Sequence, residues 1–187
     1  MTGDQELIQI VDAAVAEAAR KSGAWLVCHA GCAQCCIGPF PITAFDARRL
    51  REGLSGLEAT DPERAARVRA RATEAVRCLE RDYPGDTVAR VLGEDDAAEN
   101  EPCPALDPET QMCDLYAARP ITCRMFGPPV RFAGESLAVC ELCYEGATPE
   151  QVAACEVEID TKEFGDPGET IVAYALMGAD SGDLESK

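Results

Sequence analysis

The feature that most constrains the fold of this chain is a run of cysteines near its N-terminus. The nine residues 28–36 contain four thiols, separated only by small or polar side chains: Cys28, Cys32, Cys35 and Cys36. Alanine, glycine and cysteine bury little apolar area, so this stretch cannot pack as ordinary core. Thiolates at C-x3-C and C-x2-C spacing can reach one soft centre through a tight loop. The run therefore predicts a metal ion or an iron–sulfur cluster.

A second set of cysteines lies beyond residue 100. Its five members fall at C-x9-C and C-x2-C spacings and complete a set of nine candidate ligands: Cys103, Cys113, Cys123, Cys140 and Cys143. Two further cysteines, Cys78 and Cys155, fall in predicted helices. We assign this pair to packing, because an uncoordinated cysteine behaves as a small hydrophobe.

The neighbouring thiols of Cys35 and Cys36 bear on the number of centres. Adjacent side chains diverge and seldom ligate one mononuclear ion together. The pair either serves two centres, or one thiol ligates while the other packs. Two four-thiolate sites would use eight of the nine candidates, with Cys140 or Cys143 the first to be doubted. A single four-ligand site is the competing count.

Composition restricts the partners and the compartment. The formal net charge of -17 argues against binding nucleic acid through its phosphates. The N-terminus lacks the features of a secretory leader, and no apolar run is long enough to span a membrane, so we expect a cytoplasmic protein without membrane contact. In that reducing compartment, 11 cysteines favour metal binding over disulfides. A protein partner is left open.

Hydrophobic periodicity predicts a mostly α, small, loop-rich helical domain organised around a thiolate metal centre. We expect a single cysteine-cluster domain over residues 1–180, with its motif core at residues 28–143 and a flexible tail at residues 181–187. Apolar residues at intervals of three and four predict a first helix over residues 4–20.

Two capping signals predict the next helices. Thr43 with Asp46 begins a short helix that Gly53 and Gly56 are expected to end. Asp61, followed by proline, begins a long arginine-rich helix that ends near residue 83. We expect its arginines to be solvated or to pair within the chain, for example with residues 94–96 and with Glu99.

The C-terminal half is predicted from turns and caps. Residues 128–139 favour a hairpin, and residues 114–118 favour a single helical turn before a proline. Thr148 begins a helix whose buried stripe is expected to include Val152, Cys155 and Ile159.

The cysteines and their neighbours form an extended pattern. The first run with its vicinal pair is followed by Cys103-Pro104-x-Leu106, by Cys113-x-x-Tyr116-x-x-Arg119-Pro120-x-x-Cys123-Arg124-x-Phe126 and by a closing cysteine. This pattern, over residues 28–143, resembles the CxxCxxCC cysteine-cluster (YkgJ-like) family of zinc- or iron-chelating domains. The resemblance implies metal ligation by Cys28, Cys32, Cys35, Cys36, Cys103, Cys113 and Cys123, with Cys140 or Cys143 as the eighth ligand.

One departure from the family pattern concerns Cys28. The family's first spacing is commonly C-x2-C, whereas three residues separate Cys28 from Cys32 here, which makes Cys28 the least secure ligand. The longer spacing also creates the C-x3-C-x2-C arrangement of radical S-adenosylmethionine enzymes. We disfavour that interpretation, because the chain lacks the repeated strand–helix pattern of a barrel-like enzyme.

The sequence thus favours a protein that chelates zinc or iron through clustered cysteines, with its biological role open. The alternative is an iron–sulfur protein, holding for example a [4Fe-4S] cluster, that acts in electron transfer or as a component of a redox or methyl-transfer enzyme. A related family branch contains the flagellin lysine N-methylase, which is longer, so methyl transfer cannot be carried over. A third hypothesis is a protein–protein adaptor in which the metal only holds shape.

No standard catalytic motif is present, and the sequence leaves enzymatic activity open. The single histidine, His29, is expected to be exposed or to support the ligands rather than to act as a base. Arg119 and Arg124 either donate hydrogen bonds to thiolates or pair with carboxylates, and the two alternatives are even.

Overall fold

The computed structural model describes residues 3–85, 87–93, 97–132, 134–137, 139–159 and 170–178. The predicted tail at 181–187 and the acidic residues 94–96 lie outside these ranges. Packing divides the chain into two compact units. Unit 1 comprises Met1–Ala30 and Ile121–Phe164, and unit 2 comprises Gly31–Pro120 and Gly165–Lys187. The single domain expected over residues 1–180 stays a prediction.

Helices dominate the described residues. They are α1 (Gly3–Ser22), α2 (Ala44–Thr60), α3 (Pro62–Asp82), α4 (Thr87–Gly93), α5 (Ile121–Met125), α6 (Pro149–Cys155) and α7 (Val172–Met177). The strands are β1 (Leu106–Asp107), β2 (Met112–Cys113), β3 (Val130–Phe132), β4 (Glu135–Ser136) and β5 (Val157–Ile159). The prediction of a mostly α fold is confirmed. No helix in the described ranges is both long enough and apolar enough to cross a bilayer.

The main core of unit 2 lies between α2, α3 and α7. Thr43 and Asp46 form the predicted capping box at the start of α2. The Asp61 carboxylate accepts the backbone N–H of the third residue of α3, as its capping role requires. Apolar side chains from the three helices then pack together, among them Leu50, Leu54, Val68, Ala72 and Leu176. Both predicted helix starts are therefore confirmed.

The predicted end of α2 is wrong. The helix continues through Gly53 and Gly56 to Thr60. A Cβ atom at Gly53 would lie 2.4 Å from the Cβ of Ala118, so the glycine allows close packing and does not end the helix. The apolar stripe continues beyond it through Leu54, which is 2% exposed, and this burial favours the longer helix.

Unit 1 packs α1 against a three-stranded sheet with the order β4–β3–β5. The antiparallel pair β3–β4 is the hairpin that the sequence predicts. Strand β5 joins β3 in parallel, with Phe132 opposite Ile159. The prediction that Ile159 belongs to the preceding helix is wrong, because α6 ends at Cys155. Ile159 is buried in the sheet instead, so contacts distant in sequence override the local helical pattern.

Five of the six arginines of α3 bond a carboxylate of the chain in the described ranges, which is one of the two expected outcomes. Arg69 bonds Glu58, Arg77 bonds Glu74 and Arg81 bonds Asp82, each at 2.7 Å. Glu99, an expected partner, instead accepts a hydrogen bond from the side chain of Asn100. Exposed pairs of this kind contribute at most about 1 kcal/mol each to stability.

The two glycines of α2 provide a matched test of this packing. We expect Gly53→Ala to lower the free energy of unfolding by about 1–3 kcal/mol, because the added methyl group collides with Ala118. Gly56→Ala should raise the free energy by about 0.5 kcal/mol, because no atom lies within 4 Å of the new Cβ and alanine favours a helix. Urea unfolding of the three proteins checks both signs, and an equal effect of the two substitutions would contradict the packing described here.

Candidate metal centre

Backbone hydrogen bonds bring two cysteine-bearing segments of unit 2 side by side. The N–H of Cys103 donates to the carbonyl oxygen of Cys36 at 2.7 Å. One residue further out on each segment, Ile37 forms an antiparallel bridge with Pro102. Cys113 lies opposite Leu106 in the β1–β2 pair. Leu106 follows Cys103 by three residues, so the pairing brings the Cys103 and Cys113 segments together. The first cysteine run is thereby joined to the segment that begins at residue 103.

Four thiols of unit 2 act on one another electrostatically. A hydrogen bond from the Cys36 thiol lowers the pKa of Cys35 to about 6. The same bond raises the pKa of Cys36, and the nearby Cys103 and Cys113 raise it further. Burial raises the pKa of Cys103 to about 12 and also raises the pKa of Cys113. Cys35, Cys36, Cys103 and Cys113 therefore form one cluster, which we call the unit 2 thiol cluster.

A buried ion-pair network lies directly beside this cluster. The Asp114 carboxylate, whose side chain is 1% exposed, accepts from Arg64 Nε at 2.5 Å and from Arg71 Nη2 at 2.5 Å. Arg71 Nε also donates to the carbonyl oxygen of Pro104 at 2.9 Å. The backbone N–H of Asp114 donates to the carbonyl oxygen of Ala105 at 2.8 Å. Helix α3 thus holds the residues that follow Cys103 and Cys113.

Sequence reasoning missed this network, although two signals pointed to it. Arg64 and Arg71 are seven residues apart, and this spacing places them on one face of a helix. Asp114 stands between a cysteine and the apolar Leu115. A carboxylate in such a setting is commonly buried with a cationic partner.

Cys32 belongs to the same unit and precedes the two cluster cysteines of the first run. It lies between Gly31 and the short 3₁₀ turn Gln34–Cys36, and its side chain is partly exposed. Its thiol forms no hydrogen bond to another residue of the described ranges. The structure thus joins two of the four cysteines in the first run to the cluster, namely Cys35 and Cys36.

Unit 1 contains a second group of thiols. The Sγ atoms of Cys28 and Cys143 are 3.9 Å apart. A backbone bond of 2.9 Å from Cys143 N–H to the carbonyl oxygen of Cys140 closes the turn of the C-x2-C pair. Gly127, with φ +113°, lets the backbone after α5 pass the Cys28 thiol, since a Cβ there would lie 3.2 Å from Sγ. Cys123 lies on α5, four residues before this glycine.

The Cys140–Cys143 turn is anchored by aromatic packing. Tyr144 stacks on Trp25 with ring centroids 6.2 Å apart, and its hydroxyl group donates to the buried hydroxyl group of Ser22. The backbone N–H of Tyr144 donates to the carbonyl oxygen of Trp25 at 3.1 Å. These contacts hold the turn against the segment that leads to Cys28.

The two cysteines assigned to packing lie in different environments. Cys155 is buried at the end of α6 and its thiol donates to the carbonyl oxygen of Lys21 at 3.4 Å. Cys78 lies on α3, where its thiol donates to the Glu74 carboxylate at 3.5 Å. Cys155 packs in the same buried cluster as Cys140 and Cys143, whereas the thiol of Cys78 faces a carboxylate of its own helix.

The remaining polar candidates have identified neighbours. Arg124 donates to both carboxylate oxygens of Asp12 at 2.8–2.9 Å, so the carboxylate alternative holds for it. The Arg119 guanidinium lies 4.1 Å from the ring centroid of Tyr116, and its charge adds to the lowering of the Cys35 pKa. His29 is exposed, as expected, and one ring nitrogen is hydrogen-bonded to the carbonyl oxygen of Ala30.

The donor chemistry of both thiol groups suits a soft metal. All 11 cysteines lie in the described ranges, and none of them forms a disulfide bond there. Thiolate sulfur is a preferred ligand of zinc, of iron and of iron–sulfur clusters. No group of three or more histidine, cysteine, aspartate or glutamate side chains in the described ranges already has the geometry of a metal site.

Comparison with known families decides the class of this thiol arrangement. Residues 27–144 match the family model named CxxCxxCC, whose description reads "Putative zinc- or iron-chelating domain". The chain belongs to the CxxCxxCC family. Membership confirms the resemblance seen in the sequence, and the matched range contains all nine candidate ligands of this CxxCxxCC protein. No curated protein and no solved structure matches the chain.

The Cys35–Cys36 hydrogen bond gives a pH-dependent prediction for the metal-free protein. With a pKa of about 6, Cys35 is mostly thiolate at neutral pH, so its alkylation by iodoacetamide should rise with a midpoint near pH 6. Cys36→Ala removes the donor and should move the midpoint upward, toward the usual cysteine value of about 8.5. Mass spectrometry of the labelled peptides follows the rates. An unchanged midpoint in Cys36→Ala would show that the hydrogen bond does not set the pKa.

Proposed function

We propose that this CxxCxxCC protein chelates zinc or iron at two thiolate centres, one within each compact unit. The observation that carries the proposal is the grouping of thiols inside each unit: Cys35, Cys36, Cys103 and Cys113 in unit 2, and Cys28 beside Cys143 in unit 1. The family description supports a zinc or iron ion as the ligand.

In unit 2, Cys103, Cys113 and one thiol of the vicinal pair would supply three ligands, with the other thiol of the pair or Cys32 as the fourth. Their segments are already joined through backbone hydrogen bonds, so thiols that are distant in sequence need little further ordering. Cys32 is available from the preceding loop if Cys35 or Cys36 packs instead of ligating. A bound cation would offset the cost of ionising buried thiols, a cost visible in the pKa of Cys103, which burial raises.

In unit 1, Cys28, Cys140 and Cys143 would be joined by Cys123 from α5. The contact of Gly127 with the Cys28 thiol supports this set, because it brings the chain just after α5 to the same place. The sequence counts Cys140 and Cys143 as alternatives, whereas the turn between them supports the use of both. This division assigns eight cysteines to two sites and leaves one cysteine of the first run in reserve.

The chemistry proposed for the centres is structural. Each metal ion would cross-link segments that are far apart in sequence, so its binding free energy would add to the folding free energy of that unit. Such cross-links suit small units with limited cores.

The metal content of the purified protein tests the proposal directly. After anaerobic purification, metal analysis should find about two equivalents of zinc or iron per chain, without acid-labile sulfide. An absorption spectrum recorded on the same sample separates the alternatives. Broad brown absorption with stoichiometric sulfide would favour the iron–sulfur alternative, and a protein that takes up no metal after reduction and reconstitution would overturn the proposal.

Single cysteine substitutions test the division between the units. Cys113→Ser and Cys143→Ser should each lose about one of the two metal equivalents, because serine replaces a thiolate ligand with a poor one. Cys78→Ser is a matched control, because the thiol of Cys78 bonds Glu74 on its own helix, and this variant should keep both equivalents. Metal analysis with circular dichroism checks each variant, and full metal content in Cys113→Ser would refute the unit 2 site.

A further inference from the structure

We propose that Arg71 is a positioning residue for the unit 2 centre, because its guanidinium bonds both residues that directly follow Cys103 and Cys113. This inference rests on the proposed metal site in unit 2 and names a residue outside the cysteines on which that site depends. Arg71 does not ligate the metal. It acts through Pro104 and Asp114 on the two cysteine-bearing segments.

The geometry of the guanidinium supports this role. Its Nε atom donates to the carbonyl oxygen of Pro104 at 2.9 Å, and its Nη2 atom donates to the Asp114 carboxylate at 2.5 Å. The planar fork of an arginine fixes the angle between two such bonds, which a lysine ammonium group cannot do. One side chain of α3 therefore bonds both segments one residue from their cysteines, in addition to the β1–β2 pairing and the Asp114–Ala105 backbone hydrogen bond.

Burial separates this contact from the exposed ion pairs of the same helix. The Asp114 side chain is 1% exposed and the Arg71 side chain is 23% exposed. By contrast, Arg69 and its partner Glu58 are both about half exposed. A carboxylate so far from water is strongly destabilising when it loses a partner, so the Asp114 contacts hold their geometry firmly.

The second arginine of the network, Arg64, bonds Asp114 but not Pro104 in the part of the chain that the structure describes. Arg64 bonds the other oxygen of Asp114 at 2.5 Å, and the carboxylate raises the pKa of the Arg64 guanidinium. Its guanidinium forms no hydrogen bond to Pro104 in the described ranges, whereas the guanidinium of Arg71 does. Arg64→Ala thus perturbs the buried charge while leaving the link between the two segments in place.

A cobalt titration tests the role of Arg71 in the full-length protein. Cobalt(II) is the probe, because its thiolate charge-transfer and d–d bands report ligand geometry, and a competing chelator gives the affinity. We expect Arg71→Ala to weaken cobalt binding at the unit 2 centre by about 10- to 100-fold, as loss of outer contacts commonly does, and to shift the d–d bands. Arg71→Lys should regain only part of the affinity, and Arg69→Ala should match the wild type.

The comparison with Arg64→Ala distinguishes positioning from stability. Both Arg64→Ala and Arg71→Ala are expected to lower the melting temperature of the metal-free protein, but only the latter should change the cobalt spectrum. A wild-type spectrum and affinity in Arg71→Ala would overturn the inference. If that variant does not fold, wild-type affinity and spectrum in Arg71→Lys would overturn it equally.

Failure of the underlying metal site has a separate signature. Wild-type protein that binds no cobalt, or a Cys113→Ser variant that binds it normally, would overturn the proposed unit 2 centre itself. Normal wild-type binding that is lost in Cys113→Ser but unaffected by either Arg71 substitution would overturn only the positioning role.

Discussion

The pairing of one buried carboxylate organises unit 2. Asp114 is almost fully removed from water, and a charge in that position is tolerated only when it is paired and hydrogen-bonded. Arg64 and Arg71 meet that requirement from one face of α3, about two turns apart. Because α3 also packs on α2 and α7, the segment from Cys103 to Asp114 is tied to the main core and not left as a surface loop. The thiols are thereby held on a rigid support.

The packing of this segment against α2 also requires a glycine at position 53. Just after Asp114 the chain forms the 3₁₀ turn Tyr116–Ala118, and Ala118 lies against α2 where only a glycine leaves room. Core packing on one side and a buried ion pair on the other thus hold the cysteine-bearing segment. In unit 1, a different set of contacts holds the cysteine-bearing turn. Aromatic stacking and a buried hydroxyl pair hold the turn that carries Cys143 near Cys28.

Local signals in the sequence predicted the elements that depend on neighbouring residues. The caps at Thr43, Asp61 and Thr148 involve contacts three residues away, and each helix begins where its cap predicts. The short helices α4 and α5 were not predicted, since neither has a long apolar stripe. The prediction for Ile159 is wrong because residues 157–159 pair with β3, which is distant in sequence. Hydrophobic periodicity carries no information about a partner strand of this kind.

For the candidate site, the sequence by itself determined the chemistry and the membership. Cysteine spacing identified a soft-metal donor set and a family, because ligand type is a property of the side chains alone. Only the tertiary structure decided the grouping of those donors. It assigned Cys28 to unit 1 and Cys35 and Cys36 to unit 2, placed Cys103 and Cys113 with the vicinal pair, and brought in Arg71 and Asp114. Such grouping depends on packing and on the neutralisation of a buried charge, which act through space between residues that lie far apart along the chain.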